Sequence, residues 1–307
     1  MAGGNEIKKA LGDATQVKIL FDEPMSRHTS LAVGGKAAAL VFMENEDHLA
    51  RVVKRLRENK IDFFPAGNLT NVIVRDGGYT GAILLMSGMK EITSECVSPD
   101  NYLVSAQAGA SLAKVVSYSV AEEFAGMEFC AGIPGSVGGA VWMNAGAYGT
   151  EMKDVIKEVS LLDTGGARKT MSREDISFSY RRSGFKSGTI ILGARFELKK
   201  GEAVKIKERI NEIMQWRQVK HPLEFPSAGS VFKNLPGQPA GKIIEDMGLK
   251  GTTVGGAQIS AKHANFIVNK GNATASDILS LIEMVQIKAK AEKNVTLETE
   301  VVVIGEN

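Results

Sequence analysis

The sequence predicts an α+β protein made of successive mixed units, on three observations. A helix-period stripe near the N-terminus is flanked by short strand runs. Strand runs then dominate from 82 to 200 around one helix. After 201, long helical stripes return together with further strands. The predicted segments are an N-terminal helix in 1–20, a first unit over 21–81, a second over 82–200 and a C-terminal unit over 201–307.

In the first unit, Thr29 to Met43 reads as a turn and a strand, and Asn45 as the cap of a helix. Leu49, Val52, Val53 and Leu56 follow at i, i+3, i+4, i+7, which is one helical face. Phe63 to Pro65 and Val72 to Val74 read as short strands, so the unit reads β-α-β-β. In the second unit the strands are AILLM, YLVSAQA, VIKEVSLLD and TIILGARFEL. Ser111 to Phe124 reads as the single helix, closed by Gly126, and Asp163-Thr164-Gly165-Gly166 as a hairpin turn. Lys199-Lys200-Gly201 reads as a linker. Beyond it, Ile206, Ile210 and Ile213 stripe one helix. A second helix starts at Ser276 or Asp277 and buries Ile278, Ile282, Val285 and Ala289, and GAQIS, NFIVN and TLETEVVVIG read as strands.

Bulk composition narrows the function classes. A chain of 307 residues with 44% hydrophobic and 23% charged content is ordinary for a globular protein with real cores. A net charge of +2, with Lys and Arg spread along the chain, offers no basic track for nucleic acid. No run approaches the ~20 apolar residues of a membrane span, and the N-terminus lacks a signal peptide's apolar stretch. The scattered histidines show no metal-ligand spacing. Cys96 and Cys130 cannot form a disulfide framework, so both read as small buried hydrophobes in a cytoplasmic protein.

The richest segment is GIPGSVGGAVWMNAGAYG, Gly132 to Gly149, in which six of eighteen residues are glycine. Such density is folded into a fixed shape where backbone approaches something closely: an anion met by N–H groups, or a crowded core of tight turns. It is not the GxGxxG fingerprint, and Gly237 to Lys242 (GQPAGK) is no P-loop. Gly67-Asn68-Leu69-Thr70-Asn71 reads as a turn or a second anion cradle. Tyr180-Arg181-Arg182 reads as a solvated strand end or an anion clamp. Lys220 to Asn234 carries two fixed prolines and an Ala-Gly step that exposes Ser230, without the surroundings of a hydrolase nucleophile. Leu297-Glu298-Thr299-Glu300-Val301 places two acids on one face of a terminal strand, with solvated charges the default reading.

Taken in order, GNLTN, the glycine string, SYR, AGSVFKN, HANFIVN and LETEV make the chain from about Thr29 to Gly305 resemble the UDP-N-acetylenolpyruvoylglucosamine reductase family. The short interval from Arg181 to Ser230 resembles the compact type without a tyrosine-bearing lid loop. The resemblance implies a two-subdomain FAD-binding domain of the vanillyl-alcohol-oxidase (PCMH) type plus a C-terminal α+β substrate domain. It also implies NADPH-dependent reduction of UDP-N-acetylglucosamine enolpyruvate through FAD.

By motif, the resemblance makes Ser230 the proton donor, Arg181 a carboxylate anchor and Glu300 its partner. FAD contacts are carried over to Thr29, Ser30, Gly67, Asn68, Leu69, Thr70, Asn71, Gly132, Ile133, Pro134, Gly135, Ser136, Gly138, Gly139, Asn144, Gly146, Ala147, Tyr148 and Gly193. Substrate contacts are carried over to Tyr180, Arg181, Lys220, Ser230, Lys233, Asn234 and His263. His28, Leu69-Thr70 and Leu235 depart from the family's wording; Leu235 predicts a differently bent loop after Ser230. The rival readings are another flavin oxidase or dehydrogenase of the same FAD fold, which would not rely on Ser230, and a non-catalytic binder of flavin or nucleotide sugar.

Overall fold

The computed structural model describes residues 4–12 and 17–307; residues 1–3 and 13–16 of the N-terminal segment lie outside the described residues. The chain forms two compact units, one comprising Met1–Leu20, Ala39–Asn68 and Gly81–Trp216, the other Phe21–Ala38, Leu69–Thr80 and Arg217–Asn307.

The first unit holds α1 (Gly4–Leu11) and α2 (Glu46–Glu58). Asn45 caps α2 by accepting the His48 N–H at 2.8 Å, and Leu49, Val52, Val53 and Leu56 are its buried face, as the spacing predicts. A four-stranded sheet runs in the order Ile19–Pro24, Lys36–Phe42, Tyr79–Leu85, Phe63–Ala66. Its first strand is an addition to the expected β-α-β-β order. The expected strand Val72–Val74 lies elsewhere, in the second unit.

The larger sheet of the first unit is antiparallel in the order Arg168–Ser172, Ile156–Leu162, Ile190–Lys200, Asn101–Gln107, Ile92–Ser98. The helices α3 (Leu112–Ala121) and α4 (Val137–Trp142) share its core, where Leu112, Val115, Val137 and Val141 meet Val104, Val159 and Phe196. The hairpin at Asp163 forms as predicted, with Asp163 Oδ1 accepting the N–H groups of Gly165 and Ala167 at 2.9 Å each.

Three expectations for this unit are corrected. The helix expected over Ser111 to Phe124, α3, ends at Ala121, and the left-handed residue after it is Glu123 (φ 57°), so Phe124 pairs as strand with Lys200. Val137 to Trp142 is a helix inside the glycine string, because Ser136 caps it and Gly138 allows its backbone to close on Ala108. Cys96 is exposed on an edge strand, and only Cys130 is a buried hydrophobe. Thr93 to Val97 are all exposed on this edge strand, which a residue-type average does not register.

In the second unit an antiparallel sheet runs Ser227–Ser230, Phe266–Asn269, Ala257–Ile259, Thr253–Val254. The helix α5 (Ala203–Lys220) carries the chain from one unit into the other, while Lys199 and Lys200 complete a strand. α6 (Ala240–Asp246) and α7 (Ala275–Lys293) build the core, with Ile244, Leu281 and Val285 against Phe232 and Ile259. The cap of α7 is Thr274, which forms a reciprocal capping box with Asp277. The expected long C-terminal strand is short: Val302–Ile304 pairs in parallel with Val72–Val74, and before it Thr299 makes only an isolated bridge with Phe232.

Candidate functional site

The glycine string is three structures in series. Gly132 (φ 70°) and Gly135 (φ 148°) turn the chain into Ser136 and α4. Asn144 then takes a left-handed conformation (φ 48°), and Gly146–Ala147 pairs with Thr150–Glu151 around a tight Tyr148-Gly149 turn. Both turn residues have positive φ, the geometry that matches strand twist in a two-residue hairpin. Gly146 faces Glu151 across this hairpin, and a Cβ on Gly146 would fall 2.7 Å from Glu151 Cγ.

Gly67 lies against the start of α4. A Cβ there would fall 1.9 Å from Ser136 Oγ. The N–H groups of Gly67, Asn68, Gly135 and Ser136 donate to no acceptor among the described residues. Unsatisfied backbone donors beside a bare glycine step are what phosphate oxygens require, so these residues fit the pyrophosphate of a dinucleotide such as FAD. The three remaining residues of GNLTN belong to the second unit, where Leu69 accepts the Ser30 N–H at 3.3 Å. Thr29 is buried, and its hydroxyl bridges to the Val33 carbonyl at 2.7 Å. His28 pairs with Glu23 at 2.9 Å.

Other residues expected at the cofactor also make contacts within the fold. The Asn144 amide donates to Glu151 (3.0 Å) and to the Ser179 carbonyl (2.9 Å), while its oxygen accepts the Lys153 N–H (3.0 Å). Gly193 sits within the large sheet, where a Cβ would meet the Ala106 carbonyl at 2.7 Å. Ile133, Pro134 and Ala147 line the same chain path, and Gly139 has only Ser136 Oγ near its Cβ position, at 3.7 Å. Tyr148 is exposed and tilts against Trp216, ring centroids 5.4 Å apart.

Arg181 occupies the left-handed position (φ 54°) of a turn closed by Ser179 and Arg182. Its Nη2 donates to the Gly146 carbonyl at 2.8 Å, its Nη1 lies 3.8 Å from Glu151, and its guanidinium lies 5.0 Å from the Tyr180 ring centroid. A non-glycine residue held at positive φ is a form of strain that collects at functional sites.

Ser230 and Glu300 meet in the second unit. Ser230 ends a strand opposite Phe266, after Gly229 (φ 77°), and its hydroxyl has no partner among the described residues. The next carbonyl, that of Val231, accepts the Glu300 N–H at 2.7 Å. Asn71 clamps the Glu300 carbonyl from the other side at 3.0 Å. The segment after Ser230 is fixed by Asn265, which exchanges two hydrogen bonds with the Phe232 backbone at 2.9 and 2.8 Å. Asn234 caps the turn into α6 by accepting the Ala240 N–H at 3.0 Å, and Lys233 pairs with Glu298 at 3.2 Å. In the loop that follows, Leu235 exchanges backbone hydrogen bonds with Gln238 around Gly237 (φ 71°).

Near Lys220, His221 and His263 pack edge to face 5.6 Å apart, and both rest on Phe266. Burial, reinforced by the charge of Arg217, pushes the His221 imidazole down to about 4. Burial also lowers His263, whose Nδ1 accepts the Asn265 N–H at 3.2 Å. Arg181 therefore belongs to the first unit, and Lys220, Ser230, Lys233, Asn234, His263 and Glu300 to the second.

The sequence reading missed Glu151 and Asn265. Each had a signal: an acid five residues after Gly146 across a turn, and an amide within the HANFIVN string two residues after His263.

The sequence matches the family described as "UDP-N-acetylenolpyruvoylglucosamine reductase, C-terminal domain" over residues 221–304, and "FAD binding domain" over residues 37–172. A UDP-N-acetylenolpyruvoylglucosamine reductase from Syntrophus aciditrophicus is 45% identical over 98% of this chain and 96% of its own length. One from Caldanaerobacter subterraneus is 43% identical over 94% of each chain. The crystal structure of the reductase from Thermus caldophilus superposes with a TM-score of 0.78 at 33% identity, covering 94% of this chain and 98% of that one. The α+β architecture, the matched FAD-binding and C-terminal domains and the likeness along almost the whole length agree: the chain belongs to the UDP-N-acetylenolpyruvoylglucosamine reductase family.

Proposed function

We infer that the protein is an FAD-dependent oxidoreductase that reduces UDP-N-acetylglucosamine enolpyruvate to UDP-N-acetylmuramate for peptidoglycan synthesis, with NADPH as reductant. Family membership along nearly the whole chain carries this reading. FAD when bound supplies hydride transfer between NADPH and the enolpyruvyl double bond. Gly67, Asn68, Gly135 and Ser136 hold its phosphates with backbone N–H groups, helped by the other carried-over contacts. FAD binding is assigned to 21–81 and 82–200 and substrate binding to 201–307, with the helix in 1–20 preceding them.

The side chains then divide the work. Arg181 anchors the substrate carboxylate, and Glu300 hydrogen-bonds to it. Drawing charge toward the carboxylate polarises an electron-rich enol ether and stabilises the enolate-like species that follows hydride addition. Ser230 delivers a proton to the adjacent carbon. An alcohol is a weak acid in water, yet a strongly basic carbon centre asks for position more than acidity. The absence of a partner for the Ser230 hydroxyl among the described residues supports that assignment. Lys220, Lys233, Asn234, His263 and Tyr180 contact the UDP-sugar.

No helix among the described residues is long and apolar enough to cross a membrane. We place the reaction in the cytoplasm, where two cysteines outside any disulfide are at home, with small molecules and no nucleic acid as partners. The direct test adds FAD to the purified protein and follows uptake by flavin absorbance, then adds NADPH and UDP-N-acetylglucosamine enolpyruvate and looks for UDP-N-acetylmuramate by mass. Uptake with product formation supports the reading; failure to take up FAD overturns it.

A further inference from the structure

Glu151 lies outside every role assigned above, yet it is the most heavily engaged carboxylate near Arg181. One oxygen accepts from the Asn144 amide at 3.0 Å and from the Lys153 ammonium at 2.7 Å. The other lies 3.8 Å from Arg181 Nη1, and the carboxylate also accepts the backbone N–H of Asp154. Glu151 and Arg181 are both largely shielded, with side chains 17% and 16% exposed, so water screens their attraction less than at an open surface.

The hairpin explains why these groups converge. Gly146 and Glu151 are cross-strand partners, and Arg181 touches both members of the pair. The Gly146 carbonyl takes Nη2 and the Glu151 carboxylate faces Nη1, so two terminal nitrogens of one guanidinium are located together. A guanidinium fixed at two nitrogens has its plane set, and the plane decides whether it meets a carboxylate with two parallel hydrogen bonds. Asn144 adds a second link. Its amide joins Glu151 to the Ser179 carbonyl, at the start of the turn that carries Arg181. The Lys153 ammonium, whose pKa is raised by its hydrogen bond to Glu151 and by that group's charge, holds one oxygen of the carboxylate at 2.7 Å.

We propose that Glu151 is a positioning residue for the reduction: it orients Arg181 for the substrate carboxylate and, with Lys153 and Asn144, fixes the guanidinium before substrate arrives. The proposal rests on the reading of Arg181 given under Proposed function. It accounts for Gly146, where a side chain would push Glu151 aside, and for the left-handed turn at Arg181, which the Asn144 and Glu151 bonds hold in place.

A double-mutant cycle on the FAD-loaded enzyme tests it, with anaerobic bleaching by NADPH and recovery of absorbance by substrate measured separately. Glu151→Gln keeps an acceptor for Asn144 and removes the charge facing Arg181. The expected result is recovery slowed by about tenfold to a hundredfold, the range for a misplaced catalytic group, with bleaching unchanged. In an Arg181→Ala background, adding Glu151→Gln should cost nothing further, because its effect passes through Arg181.

A full additional loss in that background overturns the proposal and makes Glu151 merely structural. Recovery at the normal rate in Glu151→Gln also overturns it and leaves the Arg181 assignment standing. Normal recovery in Arg181→Ala removes the assignment of Arg181, and the proposal with it. If Glu151→Gln does not fold, Lys153→Met decides: it leaves the carboxylate but frees it to turn, and its smaller loss should likewise vanish without Arg181. Normal recovery in Lys153→Met, or a loss that persists without Arg181, overturns the proposal.

Discussion

The backbone N–H of Glu300 donates to the carbonyl of Val231 at 2.7 Å, which joins the C-terminal LETEV segment to the residue following Ser230. Glu300 lies seventy positions after Ser230 in the chain, and this bond and the Lys233 N–H to the Glu298 carbonyl (2.9 Å) set the two motifs side by side. Asn71, from the GNLTN turn, holds the Glu300 carbonyl, so three of the motifs meet within one unit.

Ser230→Ala should therefore leave the Glu300 backbone in place and remove only the proton donor. Bleaching of the flavin by NADPH should be unchanged, while recovery by substrate slows by about a hundredfold or more, the usual scale of a positioned proton donor. Stopped-flow absorbance of the two half-reactions checks this. Equal slowing of both would mean that the substitution disturbs the site and not the proton.

Gly67→Ala should weaken FAD binding and lower the melting temperature. The new methyl falls 1.9 Å from Ser136 Oγ, so one of the two segments must move, at a cost of about 1–3 kcal/mol for overpacking. Removing that oxygen with Ser136→Ala should recover part of the melting temperature, since the remaining contact is Ser136 Cβ at 3.0 Å. Thermal melts of the single and double variants give the answer.

Asp76 caps α7 from a distant part of the sequence. It accepts the Ala275 N–H (2.9 Å), the Ser276 N–H (2.8 Å) and the Ser276 hydroxyl (2.6 Å). Burial alone would raise its carboxyl, but the Ser276 hydroxyl and the two N–H bonds outweigh burial and hold it below 3.8. A carboxyl depressed on folding stabilises above its unfolded value and loses that contribution as pH falls through the folded one. Asp76→Ala should lower stability by ~1 kcal/mol at neutral pH, as loss of a helix cap does. The gap to wild type should close below pH 3.8, as measured by urea unfolding at several pH values.

His221 has the same sign for a different reason. Burial, with help from Arg217 and His263, drops it from 6.5 to about 4, so folding favours the neutral ring. Its contribution is complete above pH 6.5 and is lost as pH falls toward 4, where the unfolded chain binds the extra proton. His221→Phe, which keeps a ring against Phe266, should flatten the pH dependence of the melting temperature in that window. An unchanged slope would remove His221 as its source.

Local periodicity made much of this fold legible. The α2 face and its Asn45 cap follow from spacing alone, and the Asp163 hairpin follows from its turn residues. What stayed hidden was non-local. Val72–Val74 reads as a strand, but its partner is Val302–Ile304, at the other end of the chain. The helix within the glycine string was hidden by glycine's poor helical propensity, which Ser136 and the contact with Ala108 override. At the site, residue type pointed to Arg181, Ser230 and Glu300. It did not show that Asn144 is consumed by internal bonds, or that Glu151 faces Arg181, because both depend on which strands pair across a two-residue turn.

The most direct test of the central claim is anaerobic and takes two additions. NADPH is added to the FAD-loaded protein until the visible flavin absorbance is lost, and UDP-N-acetylglucosamine enolpyruvate follows in excess. The account predicts full recovery of absorbance with one UDP-N-acetylmuramate formed per flavin. Absorbance that stays bleached after the enolpyruvyl substrate is added would contradict it.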